Sequence, residues 1–388
     1  MKSEEYKQME QVEGHPSICV VIPTHGRYHL LIALFESLRA AREHFQRPVE
    51  VFIIDSSPQV TAERIEAICS EFNAHYIRHR NNVREKRNLG IELARAPVIL
   101  FVDSDCVLTP AVLLEHYRSY GEDSIAGVVG VTQFVGKSSH IWRIIAKTSF
   151  LNAFSYAERL EFAPWGPTCN ISYRKDVLEA VGKFDTSFPF RLGGDDTDLG
   201  LRVTAAGYKI RCNPQAIVEH TRETWSGIRL IGRRVFRWGR MHFHMMQKHP
   251  HRVFVNPPTI PGIFLLLALL FAPLGLVGQS AVWATIPLVW LFLDLNLESL
   301  LISHKQGRQP TEFFYTLGSR ILALIFQVGT VLEGIKNSSL TPLYKDISYT
   351  PPSSKGRRRG VAQIWAMMLA FPLAILILVI VQLIFRNV

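Results

Sequence analysis

Val98-Ile-Leu-Phe-Val-Asp-Ser-Asp-Cys106 is the stretch around which the rest of the chain is organised. Its five apolar residues follow Pro97 without a polar break, which is typical of a strand buried on both faces. Asp103 and Asp105 come at its carboxyl end, where open α/β sheets bind ligands. If the chain stays extended, both carboxylates lie on one side and suit a Mg2+ or Mn2+ ion that holds a phosphate. The same residues are also compatible with a solvated turn.

Strands and helices alternate before this stretch. Apolar runs over 17–22 and 49–54 predict two further buried strands, and each is followed by apolar residues at helical spacing. A helix over 83–94, with Asn82 as a suitable N-cap, leads into the strand that begins at Val98. This alternation predicts βαβ units and a mostly parallel sheet, so that the loops after the strands should meet in one crevice. Those loops carry Thr24, Arg27, Asp55, Asp103 and Asp105.

The composition restricts the class of protein and its partners. The chain has 388 residues, a net charge of +10 and five scattered cysteines without a Cys-x-x-Cys pair. That pattern argues against a disulfide framework or a structural zinc site, and indicates a reducing compartment. Residues 1–16 are polar and do not resemble a signal peptide. The positive charge indicates a phosphate-bearing substrate or an anionic membrane. Nucleic acid is disfavoured because exposed stacking aromatics are missing.

The segment 228–246 carries two stripes at helical spacing, one apolar and one basic. Such a helix is typical of a membrane interface, although a solvated basic face is the alternative. The apolar stripe contains Ile228, Ile231, Val235, Trp238, Met241 and Met245, and the basic stripe contains Arg229, Arg233, Arg237, Arg240 and His244.

Long apolar segments follow and predict membrane spans. The preferred spans are 260–278, 281–302 and 361–385. The segment 313–335 is either interfacial or a fourth span, because Arg320 and Glu333 interrupt it. The basic run 355–359 should be cytoplasmic together with the catalytic part, which favours three spans with the C-terminus outside a plasma or inner membrane. The predicted regions are a tail (1–16), a catalytic domain (17–225), a basic interface region (226–255) and a membrane region (256–388).

Seven short motifs, in this order, resemble glycosyltransferase family 2. The resemblance covers about residues 17–240 and implies the GT-A nucleotide-diphospho-sugar transferase fold, an α/β fold with a Rossmann-like, mostly parallel sheet, here followed by an α-helical transmembrane region. The matching motifs are Val20-Val-Ile-Pro-Thr-His-Gly-Arg27, Ile53-Ile-Asp55, Arg87-Asn88-Leu-Gly90, Asp103-Ser-Asp105, 166–174, Gly182-Lys-Phe-Asp185 and 194–202. Arg234-Val-Phe-Arg237-Trp238 also resembles a motif of membrane-bound synthases.

The resemblance implies a role for each matched residue. Asp55 would accept a hydrogen bond from the nucleobase N–H, and Asp196 would be the general base. Asp195 and Asp198 remain alternatives to Asp196, because the family usually has Glu where Asp195 stands. Nucleotide-sugar binding is implied for Pro23, Thr24, Arg27, Asp55, Arg87, Asn88, Asp103, Ser104, Arg234 and Arg237. Metal binding is implied for Asp103, Asp105 and His220, and acceptor binding is assigned to Trp165, Gly166, Asn170 and Trp238.

Several of these residues have a structural interpretation as well. His220 is equally compatible with a structural histidine, and Trp165 with a core tryptophan. Trp238 is better explained by packing at a membrane interface.

The predicted function is metal-dependent, inverting glycosyl transfer on the cytoplasmic side of a membrane. The donor would be a nucleotide-diphosphate sugar, in the first place a UDP-sugar, and the acceptor a lipid-linked or membrane-proximal glycan. A Mg2+ or Mn2+ ion would hold the departing diphosphate, and an aspartate would take the proton of the acceptor hydroxyl. A processive polysaccharide synthase and a non-catalytic sugar-nucleotide-binding scaffold are the alternatives.

Overall fold

The computed structural model describes residues 16–189, 193–256, 259–277, 281–305, 310–349 and 361–386. These residues group into two compact units. The first unit contains 16–137 and 151–224, and the second contains 138–150, 225–348 and 361–386. Residues 138–150, which the sequence assigns to the catalytic domain, therefore group with the second unit.

The first unit is built on a mixed sheet of nine described strands. They are β1 (Ile18–Thr24), β2 (Val49–Asp55), β3 (His75–Arg78), β4 (Val98–Phe101), β5 (Cys106–Leu108), β6 (Ile125–Val135), β7 (Phe162–Ala163), β8 (Ile171–Arg174) and β9 (Lys209–Thr221). Their order is β3-β2-β1-β4-β8-β6-β9-β5, and β7 pairs with β9. The strands β3, β2, β1 and β4 are parallel, as predicted, whereas β8 runs antiparallel between β4 and β6.

Twelve α-helices are described across both units. They are α1 (Tyr28–Phe45), α2 (Gln59–Glu71), α3 (Val83–Leu93), α4 (Val112–Arg118), α5 (His140–Ala146), α6 (Lys175–Ala180), α7 (Asp195–Ala205), α8 (Ile228–Lys248), α9 (Ile260–Val277), α10 (Ile286–Lys305), α11 (Pro310–Lys336) and α12 (Val361–Arg386).

The central strand β1 is buried on both faces, which explains its uninterrupted apolar sequence. Alternate residues of a strand point to opposite sides of the sheet. Val20 accordingly packs with Leu34 of α1 in one core, and Val21 packs with Ile91 of α3 in the other. Because Gly90 has no side chain, α3 approaches β1 closely; a Cβ there would lie 2.5 Å from Val21 Cγ1. Close approach places the polar start of α3 beside the strand ends.

Three local predictions from the sequence need correction. The chain leaves the extended conformation after Phe101, so alternation does not hold Asp103 and Asp105 on one side. The sequence also predicts a helix over 199–206. In the structure it begins at Asp195, since Gly194 adopts a left-handed φ of 75° and three acidic residues favour the first turn. A short strand, which the sequence predicts over 217–220, is the end of the thirteen-residue β9.

The second unit contains α5, α8 to α12 and a two-stranded sheet of β10 (Val253–Val255) and β11 (Lys345–Ile347). Among the described residues, three helical segments are long and apolar enough to cross a membrane. They are Val282–His304, Thr311–Lys336 and Trp365–Gln382, while Ile260–Pro273 is a shorter apolar segment. The set differs from the predicted one, because α11 qualifies by length and composition whereas the segment in α9 is shorter.

Candidate active site

The carboxyl ends of β1, β2 and β3 lie side by side. Thr24 is in register with Asp55, and Asp55 is in register with Arg78. The loops that follow are tied together, since Gly26 N donates to Ser57 Oγ at 2.7 Å. A ligand in the crevice beyond a parallel sheet would meet all three strand ends.

Asp55 lies at the centre of this row and is fully buried. One oxygen accepts from Ser57 N at 2.9 Å and Ser57 Oγ at 2.5 Å. The other accepts from Tyr76 Oη at 3.1 Å and from Arg78 Nη1 at 3.0 Å. Each oxygen therefore accepts two hydrogen bonds from the chain itself, and the contact with a base N–H that the resemblance implies stays a prediction.

Helix α3 presents three buried basic side chains, Arg84, Lys86 and Arg87. Lys86 Nζ donates to Thr24 O at 2.6 Å and to Ser56 Oγ at 2.7 Å. Burial lowers the pKa of the Lys86 ammonium to about 8. These contacts hold the first two strand ends together and place positive charge next to them.

Arg87 joins two parts of the site that are far apart in sequence. Its Nη2 donates to Asp103 at 3.1 Å and its Nη1 donates to Asp195 at 2.6 Å. The guanidinium is almost fully buried, whereas the Asp103 side chain is 33% exposed. Arg87 therefore brings the aspartate after β4 next to the aspartates of α7.

Asp105 faces a different set of partners from Asp103. Its Oδ2 pairs with Arg27 Nη1 at 2.8 Å and accepts from Thr224 Oγ1 at 3.2 Å. Its Oδ1 lies 3.5 Å from His220 Nε2. Ligand atoms of Asp105, Cys106 and His220 all lie within 4.8 Å of one another, which makes this group a candidate metal site.

A divalent cation fits this group of side chains. Asp105 Oδ1 is buried and makes no hydrogen bond to any residue that the structure describes, so it is suited to contact a cation. His220 Nδ1 donates to Thr221 O at 2.9 Å, which turns Nε2 toward the carboxylate. Burial raises the pKa of the Cys106 thiol, so that a neutral thiol adds little as a ligand. Asp105 and His220 are the better ligands, whereas Asp103 is paired with Arg87.

Two of the three aspartates on α7 are paired with arginines. Asp195 accepts from Arg87 Nη1, and Asp198 accepts from Arg202 Nε at 2.9 Å. The same Arg202 donates to Val181 O and, at 2.5 Å, to Lys183 O. Asp198 therefore fixes a loop rather than facing a ligand.

Asp196 differs from both neighbours. It is only partly buried, and no basic side chain among the described residues pairs with it. Its Oδ1 accepts from Thr197 N at 2.8 Å. Burial and then the charge of Asp195 raise the pKa of the Asp196 carboxyl to about 7. A carboxylate with a pKa near neutrality is suited to general base catalysis.

The predicted acceptor residues differ in their surroundings. Asn170 is fully buried and bonds to His116 Nε2 at 2.8 Å, Val131 O at 2.8 Å and Ala216 O at 2.9 Å, so it is a core residue. Gly166 also lies in the core; a Cβ there would be 2.5 Å from Val129.

Trp165 is the predicted acceptor residue that could still meet a ligand in this unit. It packs against α7 at Gly200, and its buried Nε1 has no hydrogen-bond partner within the described chain.

The remaining predicted residues are less central. Asn88 exchanges hydrogen bonds with the backbone of Phe184, at 2.8 Å and 2.9 Å, and so holds a loop in place. Pro23 and Ser104 are buried in β1 and in the turn after β4.

Three predicted residues belong to the second unit. Arg234 lies 4.2 Å from the Trp225 ring, Trp238 packs against Trp225, and Arg237 Nε donates to Arg233 O at 3.3 Å. All three lie on α8, which belongs to the second unit.

The sequence did not single out Arg78, Tyr76, Ser57 or Thr224. Arg78 and Tyr76 lie on a four-residue strand with little apolar character. Serine and threonine are common in loops, so that no motif distinguishes these two. Arg78 could have been found from its position, since it ends the strand that pairs with the strand of Asp55.

Residues 19–182 match the model of the family described as Glycosyl transferase family 2. The chain is 24% identical over 236 residues to O-antigen biosynthesis protein RfbC of Myxococcus xanthus. This match covers 56% of the chain and 18% of RfbC. It is 26% identical over 271 residues to the probable glycosyltransferase YdaM of Bacillus subtilis, covering 62% of this chain and 59% of YdaM. The chain thus spans less than two thirds of either relative.

The solved structure of mannosyltransferase PcManGT from Pyrobaculum calidifontis, in complex with GDP-Man and Mn2+, is similar in fold. It superposes with a TM-score of 0.51 at 13% identity, covering 84% of this chain and 93% of that chain. The predicted fold class, an α/β domain of the GT-A type followed by apolar helices, is confirmed.

Proposed function

We infer the function from the premise that residues 19–182 form a glycosyltransferase domain of family 2. We propose that the chain transfers a sugar, with inversion, from a nucleoside-diphosphate sugar to a lipid-linked or membrane-proximal glycan during polysaccharide biosynthesis. The name of RfbC supports a role in building surface glycans. The observation that carries the proposal is Arg87, which joins Asp103 to Asp195 and so brings the strand-end aspartates together with Asp196.

The side chains divide the chemistry between them. Asp196 would accept the proton of the acceptor hydroxyl, since its carboxylate is not engaged by an arginine in the described chain. Arg87 and Lys86 would offset the negative charge of the diphosphate. Asp105 and His220 would hold a divalent cation, which supplies Lewis-acid stabilisation of the leaving diphosphate. Attack on the sugar face opposite the diphosphate gives inversion.

The membrane assignment rests on the second unit. Three described segments are long and apolar enough to span a bilayer, and α8 carries the basic and apolar stripes of an interfacial helix. A catalytic unit anchored in this way would act on an acceptor held at the membrane. We place that unit in the cytoplasm, where nucleotide sugars are the donors.

The test uses the purified full chain in detergent. Release of nucleoside diphosphate is measured with a panel of donors, a lipid-linked glycan acceptor and Mn2+ or Mg2+. Asp196→Asn removes the base and should lower kcat by roughly 100-fold to 10,000-fold while donor binding persists. Asp105→Asn should weaken Mn2+ binding measured directly by calorimetry, and lower kcat with it.

Asp123→Asn is the matched control, because Asp123 is an exposed aspartate of the same unit. Its turnover should equal that of the unmodified chain. Wild-type turnover in Asp196→Asn would contradict the base assignment, and turnover by no donor at all would contradict glycosyl transfer.

A further inference from the structure

Arg84 is a buried arginine in the first turn of α3, three residues before Arg87. Residues three apart are neighbours on one face of a helix. Both guanidinium groups accordingly reach the region where α7 begins. Arg87 contacts Asp195 of that helix directly, whereas Arg84 contacts the main chain that leads into it.

The guanidinium of Arg84 donates to the main chain on both sides of a short loop. Its Nη1 bonds to Phe188 O at 3.0 Å and to Pro189 O at 3.4 Å, and its Nη2 bonds to Gly193 O at 3.2 Å. Its Nε lies 3.9 Å from Asp195 Oδ1 and makes no hydrogen bond to any residue that the structure describes. Arg84 therefore uses both Nη atoms on backbone carbonyls, although a carboxylate lies close by.

This contact restrains a segment that has few other restraints. A guanidinium is planar and rigid, so two bonds from its two Nη atoms fix the positions of their acceptors relative to each other. Phe188 and Gly193 are thus both held against α3 by Arg84. Gly193 and Gly194 adopt left-handed φ values of 83° and 75°, and glycine loses more conformational freedom on folding than any other residue. The direction in which the chain enters α7, and with it the place of Asp196, depends on the Arg84 anchor.

We propose that Arg84 is a positioning residue for the general base. It fixes the main chain before α7 and so holds Asp196 where the acceptor hydroxyl loses its proton, while Arg84 itself contacts neither donor nor acceptor. The inference rests on the proposed function, in which Asp196 is the base. A displacement of about 1 Å in a reacting group can lower a rate by roughly 100-fold. Loss of the anchor should therefore impair turnover and spare donor binding.

Arg42 provides a matched control in the same unit. It lies on α1 and also donates to three main-chain carbonyls, those of Phe72 at 2.7 Å, Asn73 at 3.2 Å and Val49 at 3.5 Å. Val49 begins β2, at the end of the sheet opposite to the strand ends of the site. Arg42→Gln therefore removes the same kind of contact at a place remote from α7.

Hydrogen exchange of the full chain in detergent tests the anchor itself. Arg84→Lys keeps the positive charge but has one nitrogen in place of the two that bond to the main chain, and Arg84→Gln removes the charge as well. In both variants the first hydrogen bond of α7, from Asp198 N to Gly194 O at 2.9 Å, should open more often. Peptides that contain Asp198 should then exchange about tenfold faster, as expected for the loss of a charge-assisted hydrogen bond. Arg42→Gln should leave this exchange unchanged.

Turnover of the same variants tests the position of the base. Nucleoside diphosphate release is measured with a donor that the unmodified chain turns over, and the Kd values of UDP and GDP are measured with Mn2+ by calorimetry. Arg84→Lys should lower kcat about tenfold to hundredfold and leave both Kd values unchanged. Arg42→Gln should keep the kcat of the unmodified chain.

The pH profile of kcat/KM separates a displaced base from a smaller folded fraction. Burial and then the charge of Asp195 raise the pKa of Asp196 to about 7. Arg87 and Asp103 also act on this carboxyl, and Tyr173 of β8 is a further titratable group near it. If Asp196 moves toward water, its burial decreases, its pKa falls and the rising limb of the profile moves to lower pH. A loss of folded protein lowers the profile at every pH and leaves the limb in place.

Three results would overturn the inference. They are unchanged exchange at Asp198 in both Arg84 variants, an unmoved limb in both, and an equal loss of kcat in Arg42→Gln. None of these results would contradict glycosyl transfer by the unmodified chain. Failure of the unmodified chain to turn over any donor would contradict the proposed function, whereas the exchange measurement decides in either case whether Arg84 anchors α7.

Discussion

Asp196 is the side chain whose protonation state should decide when the site can react. Its pKa is raised to about 7 by burial and by the charge of Asp195. A base works only when deprotonated, so kcat/KM should fall about tenfold for each pH unit below that pKa and level off above it. The pH profile of kcat/KM measures this directly.

Asp195→Asn tests the origin of the shift. It removes the negative neighbour that raises the pKa of Asp196, so the rising limb of the profile should move to lower pH. If the rising limb of the kcat/KM profile stays at the same pH, the titrating group is not Asp196. Asparagine keeps the shape of the side chain and can still accept from Arg87.

For single residues, the sequence motifs located charged side chains that directly follow apolar strands. Asp105 could be selected because it follows a buried apolar strand, and Asp196 because it matches a motif of the family that the sequence resembles. The hydrogen bonds that Asp55 accepts from Tyr76 and Arg78 could not be predicted, because no motif marks those two residues. Saturation of an acceptor is a property of the folded neighbours, not of the residue.

Among the elements, helices α8 and α11 of the second unit cross at close range. A Cβ on Gly239 would lie 1.9 Å from Phe326 O, and one on Gly329 would lie 2.4 Å from Phe236 O. Thr330 Oγ1 also donates to Gly239 O at 2.9 Å. The two backbones therefore touch, and no side chain fits between them.

Gly239→Ala should force the helices apart and destabilise the second unit by about 1–3 kcal/mol. Gly232→Ala is the matched control on the same helix, because a Cβ there would meet nothing within 4 Å. That change should be neutral or stabilising, since alanine favours a helix over glycine. Thermal unfolding in detergent compares the two variants, and equal midpoints would argue against the close crossing.

Periodicity predicted α8 almost to its ends but failed for β9. Pro214 argues against a strand in the middle of a sheet. The structure accommodates it through a register shift, in which Cys212 pairs with Val129 and Ile217 pairs with Val131. The extra residues of β9 bulge out around the proline. A bulge depends on the partner strand, so the sequence of one strand does not predict it.

For the whole molecule, the open question is whether α11 spans the membrane. Three charged residues of α11 form ion pairs: Glu312 with Lys147, Arg320 with Glu298 at 2.7 Å, and Glu333 with Arg240 at 2.6 Å. Helix α8, with its basic stripe, crosses α11 at Gly239. The arginines of α8 make that helix costly to place in hydrocarbon, and α11 is packed against it. We therefore expect α11 to lie in the interface.

A tag inserted between α10 and α11 distinguishes the two topologies. If α9, α10 and α12 span, the tag is cytoplasmic, which we expect and which His304 and Lys305 favour. If α10, α11 and α12 span, it is outside. A reporter after Val388 lies outside in both cases, whereas four spans, with α9, α10, α11 and α12 all crossing, would place that reporter in the cytoplasm. An extracytoplasmic signal from the inner tag would show that α11 crosses.

The position of β5 has a consequence for how the protein is made. This strand ends the sheet, and its neighbour is β9, with Cys106 opposite His220. While the ribosome is still translating the middle of the chain, β5 has no strand to pair with. Asp103 and Asp105 emerge early, but the pair proposed to bind the cation, Asp105 and His220, is completed only when residue 220 has left the exit tunnel. A nascent chain stalled before β9 would carry the motif without the ability to hold an ion.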